Sequence, residues 1–378
     1  TRRIGGRIMA VSRINEAGLN VNQYGNRNLI INGAMQVAQR ATSVSVSDGS
    51  NEGYQSLDRY SFIYGNSAGG VATISQDTTV PSGYGFSNSY KVDVTTADTS
   101  VGSTHQVYFR QIIEAQTVRN SGWNYTDSTG NSKLTVSFWA RSSKAGTYCL
   151  CLRDVDASGN MYYVKEYTLV ADTWKHVTCS VPSNSSLVFN NDNGSGLEVI
   201  WNLVAGTDRD SATDGAWNTA DTSRATSNQV NFFDSTSNVF YLTGVQVEVG
   251  DTATDFEHRT FADELARCQR YYHKIKADDS YMRFCNGFYY ATTAAESIFN
   301  LPVTMRVEPS LESTGTASDY AYYDGVGVKS CSNLILNAGS NNNSMTLQSV
   351  AGSTTQGFGA VLIANNNTDA FIAASAEL

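Results

Sequence analysis

Between Val239 and Lys274 the chain changes its period, and this switch constrains the fold more than any other stretch. Val239, Tyr241, Thr243, Val245, Val247 and Val249 alternate with Phe240, Leu242, Gly244, Gln246 and Glu248. Period two in β-branched and aromatic residues predicts a strand, which Gly250 and Asp251 stop. Beyond it Phe261, Leu265, Cys268 and Tyr272 recur at helical spacing, one stripe of a helix. Thr260 is placed to cap its start, with Asp263 at the third position. Arg267, Arg270, His273 and Lys274 gather at its end, where the macrodipole favours cations. A strand therefore closes one domain and a short helix leads to the next.

Upstream, runs such as Leu134 to Arg141 alternate cleanly, with Leu134, Val136, Phe138 and Ala140 inward and Thr135, Ser137, Trp139 and Arg141 outward. The segment Asn28 to Ala38 reads as the first strand of the set. About ten short strands separated by turn residues predict a β-sandwich. Without strand–helix alternation, a Rossmann fold or a TIM barrel is excluded. Residues 277–378 read as a second, smaller β unit with Asn-, Ser- and Gly-rich turns.

Composition narrows the function. Only 16% of residues are charged, against roughly a quarter in ordinary soluble chains. The net charge of −9 argues against nucleic acid, which needs a basic face. No apolar run is long enough to span a bilayer, so no membrane insertion is expected. No signal-peptide pattern is visible, and the first residue is Thr. The six cysteines lack framework spacing and are expected as free thiols made in a reducing cytosol. Residues 1–27 hold Arg2, Arg3, Arg7 and Arg13 against an acidic remainder. They read as an attachment arm, or as a frayed terminus.

Several segments carry a resemblance. NLIINGAMQ (28–36), SLDRY (56–60), VSFWARSS (136–143), DTWKHVT (172–178), FYLTGVQVEVG (240–250), TDFEHR (254–259) and ELARCQRYY (264–272) occur in this order. The ordered set resembles bacteriophage virion fibre proteins, tail and head fibres alike, that carry a carbohydrate-binding-module-like jelly roll. LPVTMRVEPSL (301–311) and the terminal AEL resemble the tip domain of the same proteins. The resemblance implies an all-β chain. It would comprise an N-terminal arm (1–27), a jelly-roll sandwich (28–259), a linking helix (260–276) and a β tip (277–378). It implies a homotrimer on the virion exterior, assembled in the host cytoplasm and joined to other virion proteins through the arm. Phe261, Leu265, Cys268 and Tyr272 would then be buried against sister helices. A head or capsid appendage without a defined receptor and a glycan-cleaving depolymerase are the alternatives.

Chemistry is sparse. With four histidines and no nucleophile-elbow context, no catalytic triad can be drawn. Any carboxylate pair for glycoside hydrolysis would be an arbitrary choice, so no enzyme is expected. Asp154 and Asp156 have the oxygen chemistry of a structural Ca²⁺ site, as related sugar-binding jelly rolls often do. An ordinary Asp-rich hairpin turn is the other reading. Cofactors are otherwise expected to be none. Binding a bacterial surface polysaccharide calls for aromatic faces beside amides and carboxylates. Trp123 with Tyr125, and Trp217, fit that demand in sandwich loops, or they pack as lids. Tyr320, Tyr322 and Tyr323 beside Asp324 fit it in the tip, or form a strand covered on both faces. Trp139, Trp174 and Trp201 read as structural.

Overall fold

The computed structural model describes residues 27–156, 160–352 and 354–378. The proposed arm residues Arg2, Arg3, Arg7 and Arg13 lie outside them. The described chain is all-β, as the alternation predicts. Its larger unit is a jelly-roll sandwich of two six-stranded antiparallel sheets. In spatial order the first sheet runs Ser43–Ser47, Val71–Asp77, Ser89–Thr96, Val239–Val249, Lys133–Ser142, Lys175–Pro182. The second runs Ala216–Asn218, Tyr162–Leu169, Gly146–Asp154, Ser195–Ala205, Gln106–Glu114, Ser61–Gly65. Leu134, Val136, Phe138 and Ala140 all point into the core between them. Trp201 sits at its centre, stacked on Phe109 at 5.4 Å with Phe138 edge-on at 5.9 Å. Such rings bury the most apolar area per residue.

Two local expectations fail for identifiable reasons. Asn28 to Ala38 is not a strand. Its Asn28 amide donates to the Val245 carbonyl and its Oδ1 accepts from the Val247 amide. Asn32 and Met35 adopt positive φ. Asparagine side chains replace ladder hydrogen bonds, and the segment is buried as an irregular plug carrying Ile30, Met35 and Val37. In the strand Val239–Val249 the alternation flips. Pairing slips between Thr243 and Gln246, so Leu242 and Val245 both enter the core. Gly244 sits in the slip at φ +63, a conformation that favours glycine at a bulge.

The C-terminal unit holds a three-stranded sheet, Tyr272–Lys276, Phe371–Ser375, Ser310–Ser313. Beside it lies a seven-stranded sheet: Val328–Ser330, Tyr320–Tyr323, Gly359–Ala364, Arg283–Ala291, Ala294–Asn300, Ser344–Val350, Ile335–Leu336. The helix spans Phe261–Gln269, with the Thr260 hydroxyl accepting from the Asp263 amide as expected. It ends before Tyr272, which instead pairs with Ser375 in the C-terminal sheet.

Candidate functional site

A cleft walled by aromatic rings lies on the outer surface of the first sandwich sheet. It encloses about 360 Å³, within the range of small-ligand sites. Trp139 forms its floor, because the strand's parity points this ring outward between Phe138 and Ala140. Tyr84, 53% exposed, lies 4.2 Å from the Trp139 ring centre. His176 stands opposite Trp139 on the neighbouring strand, with ring centres 5.0 Å apart. The other wall is the TDFEHR segment, where Phe256 and His258 close on Phe86 at 5.0 and 5.2 Å. His258 Nε2 lies 3.1 Å from the Tyr84 carbonyl oxygen and ties the two walls together. A Cβ on Gly244 would fall 2.6 Å from Phe86 and 3.1 Å from Trp139. The bulge glycine thus lets the aromatic rings lie against the sheet.

Polar groups complete the cleft. Ser137, His176, Thr254 and Asp255 line it. Although its edge is open to solvent, the His176 imidazole is pushed below its ordinary pKa by desolvation. Desolvation favours the neutral ring, which can donate from one nitrogen and accept at the other. The aromatic surface continues along the sheet. Tyr241 lies 6.2 Å from Trp174, and the Arg141 guanidinium sits 5.4 Å from the Tyr241 ring. Apolar faces flanked by hydroxyl-binding groups suit a sugar ring, and their extension suits a chain of sugars.

The residues expected to bind glycan do not converge there. Tyr320 and Tyr322 are fully buried. Strand parity turns both into the C-terminal core, where the Tyr322 and Ser297 hydroxyls meet at 3.0 Å and Tyr320 donates to the Phe371 carbonyl. Tyr323 alone points outward, beside Tyr281 and Arg283 over a depression of about 230 Å³. Asp324 caps its own turn by accepting from the Val326 and Gly327 amides at 2.9 Å. These bonds hold its carboxyl below the usual range. Trp123 is buried in the sandwich core. Tyr125 packs edge-on to Phe189 at 4.9 Å. Trp217 lies against Tyr163 and donates to the Pro182 carbonyl at 2.8 Å. All three are lids. The cleft residues Tyr84, Trp139 and His176 were not expected as a site. The available signal was a tryptophan at an outward position of an alternating strand.

Asp154 and Asp156 serve a loop. Asp154 accepts from the Val188 and Asp156 amides, both at 3.1 Å, and Asp156 accepts from the Asn190 backbone and side chain. Burial pushes the Asp154 carboxyl up to about 6. Among the described residues no cluster of three or more His, Cys, Asp or Glu is placed to hold a metal. Two carboxylates turned toward amide donors do not fit a calcium cage, which needs six to eight converging oxygens. All six cysteines are free.

The helix stripe is also reassigned. Cys268 and Tyr272 are buried within their own chain, while Phe261 is exposed and Leu265 half-buried. The helix turns Glu264 inward, one position off the expected stripe, and its carboxylate accepts from the Asn32 amide at 2.5 Å. The four residues therefore form no continuous free face for sister helices. SLDRY, ELARCQRYY and AEL meet in the joint between the two β units. Arg59 bonds Glu377 and the Ile112 carbonyl, and its guanidinium lies 3.5 Å from the Tyr271 ring centre. Arg40 reaches Glu377 at 3.1 Å. Arg270 and Tyr271 both donate to Glu114, at 2.8 and 2.5 Å. Arg306 donates to the Ala376 and Glu377 carbonyls at 2.8 and 2.7 Å. These segments are structural at the level of the joint.

No protein-family model matches the sequence, and no curated protein matches it. Solved structures do show likenesses. The enzymatically active domain of tailspike protein 4 from bacteriophage CBA120 aligns at 12% identity and a TM-score of 0.30. That alignment covers 59% of this chain but only 22% of the tailspike chain. A family 4 carbohydrate-binding module aligns at 13% identity over 58% of this chain and 98% of its own, with a TM-score of 0.28. A xylan-binding domain of family 22 aligns at 14% identity over 51% and 89%, with a TM-score of 0.27.

Proposed function

We propose that the chain is a bacteriophage fibre subunit that binds a host surface glycan in the cleft of Tyr84, Trp139 and His176. The single observation that carries this reading is the aromatic pair of exposed Tyr84 and partly buried Trp139, with His176, Ser137 and Asp255 within the same concavity. The order of the sequence motifs supports the assignment to a fibre. Attachment through residues 1–27 and assembly as a homotrimer belong to the same proposal. Binding without cleavage fits the lining, in which Asp255 is the one carboxylate, whereas glycoside hydrolysis calls for a pair. The test is titration of the intact protein with host-envelope polysaccharide. Wild type is expected to bind without shortening the chains, and Tyr84→Ala to bind roughly tenfold more weakly. Equal affinity for the two proteins, or fragments released from the polysaccharide, would overturn the proposal.

A further inference from the structure

The outward rings of the first sheet do not end at the cleft. On the strand next to Trp139, Thr243 lies opposite Trp139 and Tyr241 opposite Arg141. Tyr241 is therefore the diagonal neighbour of Trp139, roughly 7–8 Å away across the ladder. On the other side Trp174 stands just before the strand Lys175–Pro182, and its ring centre is 6.2 Å from that of Tyr241. Trp139, Trp174 and Tyr241 are all partly exposed. On the strands themselves the next outward positions carry no ring. Past Tyr241 they are Val239 and Asp93, which stand opposite each other. Past Trp139 they are Ser137 and Thr178. The aromatic surface is thus a track of two steps, running along the strands from the cleft to Tyr241.

The second step is charged but balanced. Arg141 donates from Nε to the Asp172 carbonyl at 3.0 Å and from Nη2 to the Asp172 carboxylate at 2.9 Å. Lys91, opposite Tyr241 on the neighbouring strand, lies 2.9 Å from the Asp93 carboxylate. Each cation beside Tyr241 therefore already holds an acid. An anionic sugar would have to displace Asp172 or Asp93. A hydroxyl can accept from the cation and donate to the carboxylate while both pairs stay intact.

We propose that the cleft and Tyr241 form two consecutive subsites for a linear, uncharged stretch of glycan. Tyr241 and Trp174 give the second subsite its apolar platform, and the Arg141–Asp172 and Lys91–Asp93 pairs meet the hydroxyls. The inference rests on the glycan reading of the cleft and adds the length and the charge of what it holds. The two steps lie farther apart than the width of one sugar ring, so a monosaccharide reaches only one of them. Once a longer chain is held in the cleft, its contact with Tyr241 becomes intramolecular, and affinity rises with length until the track is filled.

The test is a ligand-observed NMR titration of the full chain with size-fractionated fragments of host-envelope polysaccharide, from monosaccharide to hexasaccharide. Wild-type affinity is expected to rise roughly tenfold or more from monosaccharide to trisaccharide and to level off beyond it. It should stay unchanged when the salt concentration is raised roughly tenfold, since no net charge is exchanged. Tyr241→Ala should bind the monosaccharide like wild type and lose the rise with length, whereas Trp139→Ala should weaken every fragment. If Tyr241→Ala loses its far-ultraviolet β signal, Trp174→Ala, which lies outside the strand, takes its place. Equal affinity for all fragments would overturn the inference and leave the cleft reading standing. So would a rise that Tyr241→Ala and Trp174→Ala both keep, or binding that falls steeply with salt. Failure of every fragment to bind wild type would overturn the cleft reading itself, and this inference with it.

Discussion

On the sandwich, the outward positions around the cleft carry Tyr84, Trp139 and His176, with exposed Lys175, Thr178 and Ser180 on the strand that bears His176. On the C-terminal sheet the outward positions carry Phe288, Ile298, Ile335 and Val350 among Asn286, Glu296, Asn300 and Gln348. Both are faces of antiparallel sheets whose other side is core. The first is concave, aromatic and mixed with hydrogen-bonding groups, which fits a ring that is apolar on its faces and polar at its rim. The second is broad, mixes Phe288 and aliphatic side chains with amides and one carboxylate, and is interrupted where the strand pairing stops at Gly287. Outward apolar residues therefore do not form one category. Their neighbours and the continuity of the backbone ladder decide what each face can hold.

The largest expected effect sharpens the contrast between tip surface and tip core. Tyr322→Ala should destabilise the C-terminal unit by about 3–5 kcal/mol, the cost of deleting a fully buried aromatic. Denaturant unfolding monitored in the C-terminal unit checks this. A change within about 0.5 kcal/mol, normal for exposed positions, would return Tyr322 to the surface and break the comparison.

The joint sets whether the two faces are held on one body. Glu377→Ala strands the buried Arg59 guanidinium and should cost about 3 kcal/mol. It should also split unfolding into separate transitions for the two units in calorimetry. A single unshifted transition would mean that the units are coupled elsewhere.

Asp58 lies in the same joint, where its carboxylate accepts from the Gln39 amide at 2.8 Å. Burial raises its carboxyl from 3.8 to about 6. Below pH 3.8 it is protonated in both states. As pH rises toward 6 the unfolded chain releases its proton first, so this group removes stability across that window, on the order of 3 kcal/mol. Above 6 its contribution is constant. Asp58→Asn should lack that downward slope in denaturation measured against pH. Parallel profiles for the two proteins would contradict the burial argument.

Much of the architecture was readable from alternation, and the reason is visible in Leu134 to Arg141, where every inward residue is core. Readability ended where one residue changed the parity. The slip around Gly244 moved Val245 and Val247 inward, and no periodicity anticipates a bulge. Asn28 and Asn32 look like ordinary polar interruptions of a strand, yet their amides replace the ladder. The tip tyrosines misled because Tyr320 and Tyr322 are amphipathic. Composition cannot say whether a tyrosine hydroxyl ends in water or, as for Tyr322, on a buried serine. Parity alone turns Trp139 outward, but its place in a strand motif suggests a structural role. Its partners Tyr84 and His176 come from segments far apart in sequence, and only the fold brings them together.

The central claim is that the sandwich cleft, and not the tip, holds the glycan. The smallest expected change in stability and the most direct measurement coincide in Trp139→Ala. Losing its partly buried ring should cost about 1–2 kcal/mol of stability but roughly tenfold or more in affinity for host polysaccharide. The measurement is calorimetric titration of wild type, Trp139→Ala and the double variant Tyr281→Ala with Tyr323→Ala, all as intact chains. The account predicts that Trp139→Ala loses binding while the tip variant titrates like wild type. Binding retained by Trp139→Ala and lost by the tip variant would contradict it.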